Sequence, residues 1–293
     1  MNSKNIKKSL NAKFDKWLES IDDKEVKKVI RENAIISGGA IVSLLTNTEV
    51  HDYDVYFKTR EAVLIVAKYY VSKFNETHNA HAEVRETDEK VVVFIQSKGV
   101  ESEEDNTVGP FDEYPVPSEE DVQRSQEEAS ANEKPRYRPV YLTSNAITLS
   151  DKIQIVIRFY GDVEEIHRNY DFAHCTCSWS SWNNELSLPV KALECIINKE
   201  LYYIGSKYPL CSIIRARKFI ERGYTINAGQ YLKMCLQLNN LNLHDIETLK
   251  DQLVGVDSTY FNMAISAMER KQQDDPEWKV DNSYLFDVIN RIF

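Results

Sequence analysis

The sequence predicts an α+β protein in two parts: a β-containing domain over residues 1–183 and an all-helical neck and body over residues 184–293. Three observations carry this. Short β-prone runs mix with amphipathic helices as far as Trp179. Helical periodicity alone continues from Leu188 to the end. Between them, a run rich in Glu, Ser, Asp and Pro over residues 100–136 interrupts the first part without ending it. With 293 residues, 42% of them hydrophobic, the chain can bury a full core.

Residues 3–32 read as two short helices broken near Ser20-Ile21-Asp22, with Phe14, Leu18, Val26, Val29 and Ile30 as their apolar positions. Ile35 to Phe57 follows. It holds an apolar pair, Ser37-Gly38-Gly39, a short amphipathic run from Ala40 to Leu45, a polar turn at Thr46-Asn47-Thr48, and a β-prone run from His51 to Phe57. A helix is expected from Arg60 to Phe74 and a buried strand over Val91–Ile95. Order resumes with strands over Val140–Thr143, Ala146–Leu149 and Lys152–Phe159. Gly161-Asp162 opens a helix from Val163 to Asn169, and Tyr170 to Trp179 reads as a further strand. The helices of the second part are placed at Pro189–Tyr203, Leu210–Arg222, Ala228–Leu238, Ile246–Leu253, Thr259–Met268 and Ser283–Phe293, with Gly205, Pro209 and Gly223 at the joints.

The net charge of −10 belongs to one segment. Between Glu101 and Glu133 twelve carboxylates face one base, Arg124, so the remainder of the chain is close to neutral and compatible with a nucleic-acid partner. Two readings of that segment stand: a solvated loop, or an acidic flap that occupies a basic site when the site is empty. No apolar run approaches the ~18 residues of a membrane span, and the lysine-rich N-terminus lacks an apolar signal core. Five cysteines without framework spacing point to free thiols and a reducing compartment, hence a cytoplasmic protein with no membrane partner. His174-Cys175-Thr176-Cys177 lacks the second ligand pair of a zinc site and reads better as a core strand of small residues.

The chemistry is concentrated in Ile35–Phe57. Positions two apart in a strand point the same way, so Asp52 and Asp54 share a face while Tyr53, Val55 and Phe57 share the other. Two carboxylates so close repel unless a cation lies between them, and Mg²⁺ favours such oxygen donors. Upstream, Gly38 and Gly39 open a helix start where backbone N–H groups can approach a phosphate. A phosphate cradle beside metal carboxylates is the equipment of phosphoryl transfer. In the second part, Lys207, Arg215, Arg217, Lys218, Arg222 and Lys233 face Glu221 alone, and Arg215, Lys218 and Arg222 fall on one helix stripe.

This stretch resembles the signature of the DNA polymerase β-like nucleotidyltransferase superfamily: an apolar residue, Gly-Gly, a spacer, then Asp-x-Asp between apolar residues. Tyr208-Pro209-Leu210 through Arg215-Ala216-Arg217-Lys218-Phe219 to Gly223-Tyr224 is similar to the neck helix of CCA-adding enzymes and bacterial poly(A) polymerases. Tyr170-Asp171-Phe172 resembles the junction that closes those heads, with Asn169 and Tyr170 where the family has two arginines. Residues 140–240 also resemble uncharacterised nucleotidyltransferases of phage and large-virus genomes, whose cytoplasm would be the host's.

The resemblance implies a mixed-sheet nucleotidyltransferase head followed by the helical neck and body. It implies a two-metal Mg²⁺ mechanism with Asp52 and Asp54 as metal ligands and catalytic residues. Ser37, Gly38, Gly39, Arg215 and Lys218 would bind the nucleotide, ATP or CTP. The acceptor would be an RNA 3′ end of tRNA-like kind, extended without a DNA template. A third carboxylate is expected on a neighbouring strand, where this chain has Gln154 between Ile153 and Ile155. Either Asp171 supplies that catalytic oxygen or the site has two carboxylates. Modification of a protein or small molecule, and a non-catalytic nucleotide- or RNA-binding relative, are the alternatives.

Overall fold

Apolar residues at three- and four-residue spacing give the N-terminal segment two helices, α1 (Ser3–Glu19) and α2 (Lys24–Asn33). Ile6, Leu10, Phe14, Trp17 and Leu18 form the buried stripe of α1, and Val26 and Ile30 that of α2. Asp23 separates them: its carboxylate accepts from the backbone N–H groups of Glu25 (2.7 Å) and Val26 (3.0 Å), an N-cap. The structure, a computed structural model, describes residues 2–78, 81–86, 91–96, 136–252, 259–275, 278–279 and 281–292. The acidic segment between Glu101 and Glu133, and the flap reading with it, lies outside the described residues.

The chain divides into two compact units, the first ending at Pro189 apart from an excursion over Arg168–His174 that belongs to the second. In the first, seven strands form one mixed sheet: β1 (Ala34–Ser37), β2 (Tyr53–Phe57), β5 (Pro139–Leu142), β6 (Ala146–Leu149), β7 (Ile153–Tyr160), β8 (Ser178–Ser180) and β9 (Glu185–Ser187). Their spatial order is β5-β6-β7-β2-β1-β8-β9. Only β2 and β7 run parallel; the other neighbours are antiparallel. The hairpin β3 (His81–Glu86) and β4 (Val91–Gln96) stands as a separate two-stranded sheet. Helix α3 (Gly39–Thr46) links β1 to β2, and α4 (Arg60–His78) follows β2 with Ala62, Val63, Val66, Ala67, Tyr70 and Val71 buried. Trp17 Nε1 donates to the Tyr70 hydroxyl at 2.7 Å, and Phe14 meets Trp179 edge-on at 5.2 Å, tying α1 to α4 and to β8.

In the second unit, helices occupy Val190–Asn198, Pro209–Glu221, Ala228–Leu238, Ile246–Gln252, Thr259–Asp274 and Asn282–Ile292. One core gathers Phe172, Leu201, Tyr203, Ala216, Tyr224 and Met234; a second gathers Ile246, Leu249, Ile265 and Met268. Among the described residues no helix is long and apolar enough to cross a membrane, and all five cysteines are free thiols.

Three expectations need correction. Tyr170–Trp179 is not one strand: only Ser178–Ser180 joins the sheet. Phe172 instead bridges to Tyr203 and Ala173–Cys175 forms a 3₁₀ turn, because the apolar side chains here feed the second unit's core. The helix expected over Pro189–Tyr203 stops at Asn198, where Lys199 turns left-handed at φ 53° and the chain runs on to bridge Glu200 to Thr225. The helix expected over Val163–Asn169 ends at His167. Strands β3 and β9 were not expected.

Candidate nucleotide site on the central strands

The register of the sheet assembles the site. Ser37 on β1 pairs with Ser178 on β8 and with Asp54 on β2; Asp54 pairs with Gln154 on β7, and Gln154 with Thr148 on β6. Partners in register point to one side, so Ser178, Ser37, Asp54, Gln154 and Thr148 form an unbroken polar row across five strands. The outer members are buried (Ser178, Ser37 and Thr148 at 1%, 0% and 4% exposure), while Asp54 and Gln154 at the centre are partly open. The adjacent row, on the opposite face, reads Trp179, Ile36, Val55, Ile155, Ile147, every one of them buried. Gln154 therefore stands beside Asp54 on the neighbouring strand.

Asp52 lies one residue before β2, also partly open. Its approach is held from β7's side: Lys152 Nζ bonds Glu49 Oε1 at 2.6 Å and the Val50 carbonyl at 3.0 Å, and the Lys152 carbonyl accepts from Tyr53 N at 2.8 Å. The Tyr53 ring lies 5.2 Å from the Lys13 ammonium, which also faces Tyr137 at 5.0 Å and donates to the Asp151 carbonyl. Burial pulls the Lys13 amine down to about 8. Arg136 closes this corner with a 2.5 Å ion pair to Asp151.

At the same end of the sheet, where β1 finishes beside Asp54, Gly38 takes φ 86° and ψ −142°, a backbone state that a side chain would strain. It turns the chain from β1 into α3, whose first residue, Gly39, is exposed; a Cβ there would meet nothing within 4 Å. The turn thus offers an open face at a helix N-terminus, where N–H groups and the helix dipole favour an anion. Ser37 is not part of that open face. It is fully buried, and its hydroxyl proton goes to the Cys177 carbonyl at 2.9 Å. The same carbonyl accepts from Gly38 N at 3.4 Å. His167 Nε2 lies 2.9 Å from Ser37 Oγ and must be the donor, since the serine proton is already used. Burial lowers His167 to about 4, which keeps the ring neutral near pH 7.

The remaining expected residues lie in the second unit. Asp171, 5% exposed, is ion-paired with Arg215 at 2.6 Å. Arg217 pairs with Glu221 one helical turn on, at 3.1 Å. Lys218 is half-buried on the same helix. His174 lies in the aromatic core, edge-on to the Phe219 ring at 4.4 Å and tilted against Tyr224 at 4.7 Å, and burial pushes it down to about 3. Sequence reasoning passed over His167, the Cys177 carbonyl, Thr148 and Ser178. No local signal marks them: Ser178 and Thr148 meet Ser37 and Gln154 through sheet register, and His167 and Cys177 meet Ser37 through long-range hydrogen bonds.

Among the described residues no group of three or more His, Cys, Asp or Glu could hold an ion. By residue type Asp52, Asp54 and Gln154 offer oxygen donors with two carboxylates, and the register brings Asp54 and Gln154 together. Mg²⁺ characteristically takes one or two carboxylates and completes its shell with water and substrate phosphates, so this set suits it.

A family model described as "Gabija anti-defense 2 family protein" matches residues 8–199. A curated relative named "Gabija anti-defense 2", from Bacillus phage SPbetaL7, is 22% identical over 233 residues, covering 79% of this chain and 44% of the relative. The chain therefore spans less than half of that relative's length. Solved structures similar to this one include a Thermotoga maritima CCA-adding enzyme complexed with tRNA (11% identity, TM-score 0.39, 92% of this chain and 57% of that one). Another is the Bacillus stearothermophilus CCA-adding enzyme in complex with CTP (13%, TM-score 0.36, 79% and 47%). So distant a likeness says nothing of activity.

Proposed function

The chain belongs to the Gabija anti-defense 2 family, and we propose that it is a Mg²⁺-dependent, template-independent nucleotidyltransferase. It would move a nucleoside monophosphate from ATP or CTP to a hydroxyl, with an RNA 3′ end as the acceptor. The supporting observation is the polar row, with Asp54 and Gln154 partly open at its centre and the Gly38-Gly39 turn opening from its Ser37 member. Such a transferase would serve the role in the relative's name by modifying a component of a defence, or by consuming its nucleotide.

In this reading Asp52 and Asp54, assisted by the Gln154 oxygen, hold Mg²⁺, which when bound supplies charge neutralisation at the phosphates and activation of the attacking hydroxyl. The chain's own work is positioning. The N–H groups at the start of α3 receive the polyphosphate as pyrophosphate leaves, and the apolar row behind Asp54 fixes the strand that carries it. Asp171 and Arg215 enter as one ion pair: removal of either carries the cost of stranding the other. Lys218, on the same helix as Arg215, would offset phosphate charge on the nucleotide or the RNA.

The test is incubation with Mg²⁺ and each α-labelled NTP in turn, with and without tRNA. Label should pass to RNA from ATP or CTP and vanish with chelator. Label on protein or on a small molecule would support the second class of transferase. Label on nothing, across all four nucleotides and a host extract, would overturn the proposal.

One observation favours a non-catalytic reading: the residue in register beside Asp54 is Gln154, whose amide is a neutral and weaker ligand than a carboxylate. Gln154→Asp separates the two. In an active enzyme the added carboxylate should lower the Mg²⁺ concentration for half activity several-fold. In a binding protein nucleotide affinity should change while no transfer appears.

A further inference from the structure

Ser37 stands at the joint where β1 becomes the Gly38 turn, and its side chain is held from two directions. The Cys177 carbonyl receives both the Ser37 hydroxyl and the Gly38 amide. His167 Nε2 approaches the same hydroxyl oxygen from the C-terminal end of the Val163–His167 helix. That short helix is itself fixed. Asp162 Oδ1 accepts from Glu165 N at 2.8 Å while Glu165 Oε2 accepts from Asp162 N at 2.9 Å, a reciprocal capping box, and Ile166 is fully buried. Gly161 N then bonds the Phe57 carbonyl at 3.1 Å, tying the helix start to the end of β2. His167 is therefore delivered to Ser37 by a rigid support built on the carboxylate-bearing strand.

We propose that His167 is a positioning residue for the glycine turn: by donating to Ser37 Oγ it commits the serine proton to Cys177 and holds Gly38-Gly39 in the conformation that receives phosphate. A hydroxyl has a single proton and two acceptor lone pairs. With His167 donating, the Ser37 rotor has one arrangement, proton toward Cys177. Without a donor, the hydroxyl can rotate, its grip on Cys177 loosens, and the weaker Gly38 N bond to the same carbonyl at 3.4 Å loses its companion. Burial keeps the ring neutral, and both contacts of Ser37 Oγ are hydrogen bonds only in the tautomer with the proton on Nε2. The phosphate part of this inference rests on the proposed nucleotide site; the holding of the turn does not.

The test uses the full chain as wild type, His167→Phe, His167→Gln and Ser37→Ala, with two readouts. Amide hydrogen exchange at Gly38 and Gly39 without nucleotide reads the turn itself. His167→Phe should exchange at least about tenfold faster, the usual consequence of losing one buried hydrogen bond. His167→Gln, whose amide can donate from the same place, should return to within about threefold of wild type. Ser37→Ala should match His167→Phe, and the double variant should add nothing further. Equal exchange in all four proteins would overturn the inference, as would a Gln variant no better than Phe. The second readout is the KM or Kd for Mg·ATP, expected to rise about tenfold in His167→Phe with kcat changed less. Wild-type protein that binds no nucleotide would sink the functional reading, while the exchange experiment would still decide whether His167 holds the turn.

Discussion

Two neighbouring rows of one sheet carry opposite chemistry. Trp179, Ile36, Val55, Ile155 and Ile147 run across five strands on one face, all but closed to solvent. One residue along, on the other face, run Ser178, Ser37, Asp54, Gln154 and Thr148. Each strand contributes one member to each row, so stability and chemistry are separated by a single step of the pleat. A mixed sheet covered on both sides would be apolar throughout; here the polar row departs from that rule at the strands that carry Asp54 and Gln154. A row that burdens folding without evident structural return is where function is expected.

The contrast can be broken from the apolar side first. Val55→Asp places an unpaired carboxylate at a position with 0% exposure. It should destabilise the fold by more than about 4 kcal/mol, enough to leave little folded protein, as urea denaturation will show. The second unit offers a charged counterpart. Asp171→Asn keeps the shape but removes the charge facing Arg215, and should cost about 2 kcal/mol, read as a lower urea midpoint with an unchanged slope.

Acid sharpens the comparison next. His167 beside the polar row and His174 in the aromatic core both have folded-state values, about 4 and about 3, below the ordinary 6.5. The unfolded chain binds those protons first. Their contribution is therefore complete above pH 6.5 and is lost as pH falls from 6.5 toward 4, at up to about 1.4 kcal/mol per pH unit for each histidine. His174→Phe should flatten the pH dependence of stability over that window; an unchanged slope would mean that other groups govern it.

What could be read from sequence follows the same division. Ser37-Gly38-Gly39 and Asp52-x-Asp54 can be read from sequence as a candidate site because they lie within 18 residues and one strand period. Ile153-Gln154-Ile155 pointed to the position beside Asp54 because alternation marks a strand, and register then brought the two together. His167 and Cys177 were invisible because they reach Ser37 across 130 and 140 positions. Tyr170–Trp179 misled for a physical reason: its alternating apolar residues are real, but Phe172 packs into the helical unit and Trp179 into the sheet. Periodicity reports burial and not which core does the burying.

The central claim is that the polar row is there for transfer and not for folding, and Asp54→Ala tests it most directly. Asp54 is partly open and its change to alanine deletes no buried apolar contact, so stability should stay within about 1 kcal/mol of wild type. Label transfer from α-labelled NTP in Mg²⁺ should fall by at least about a thousandfold in the same preparation. A folded Asp54→Ala protein that transfers nucleotide at the wild-type rate would contradict the account.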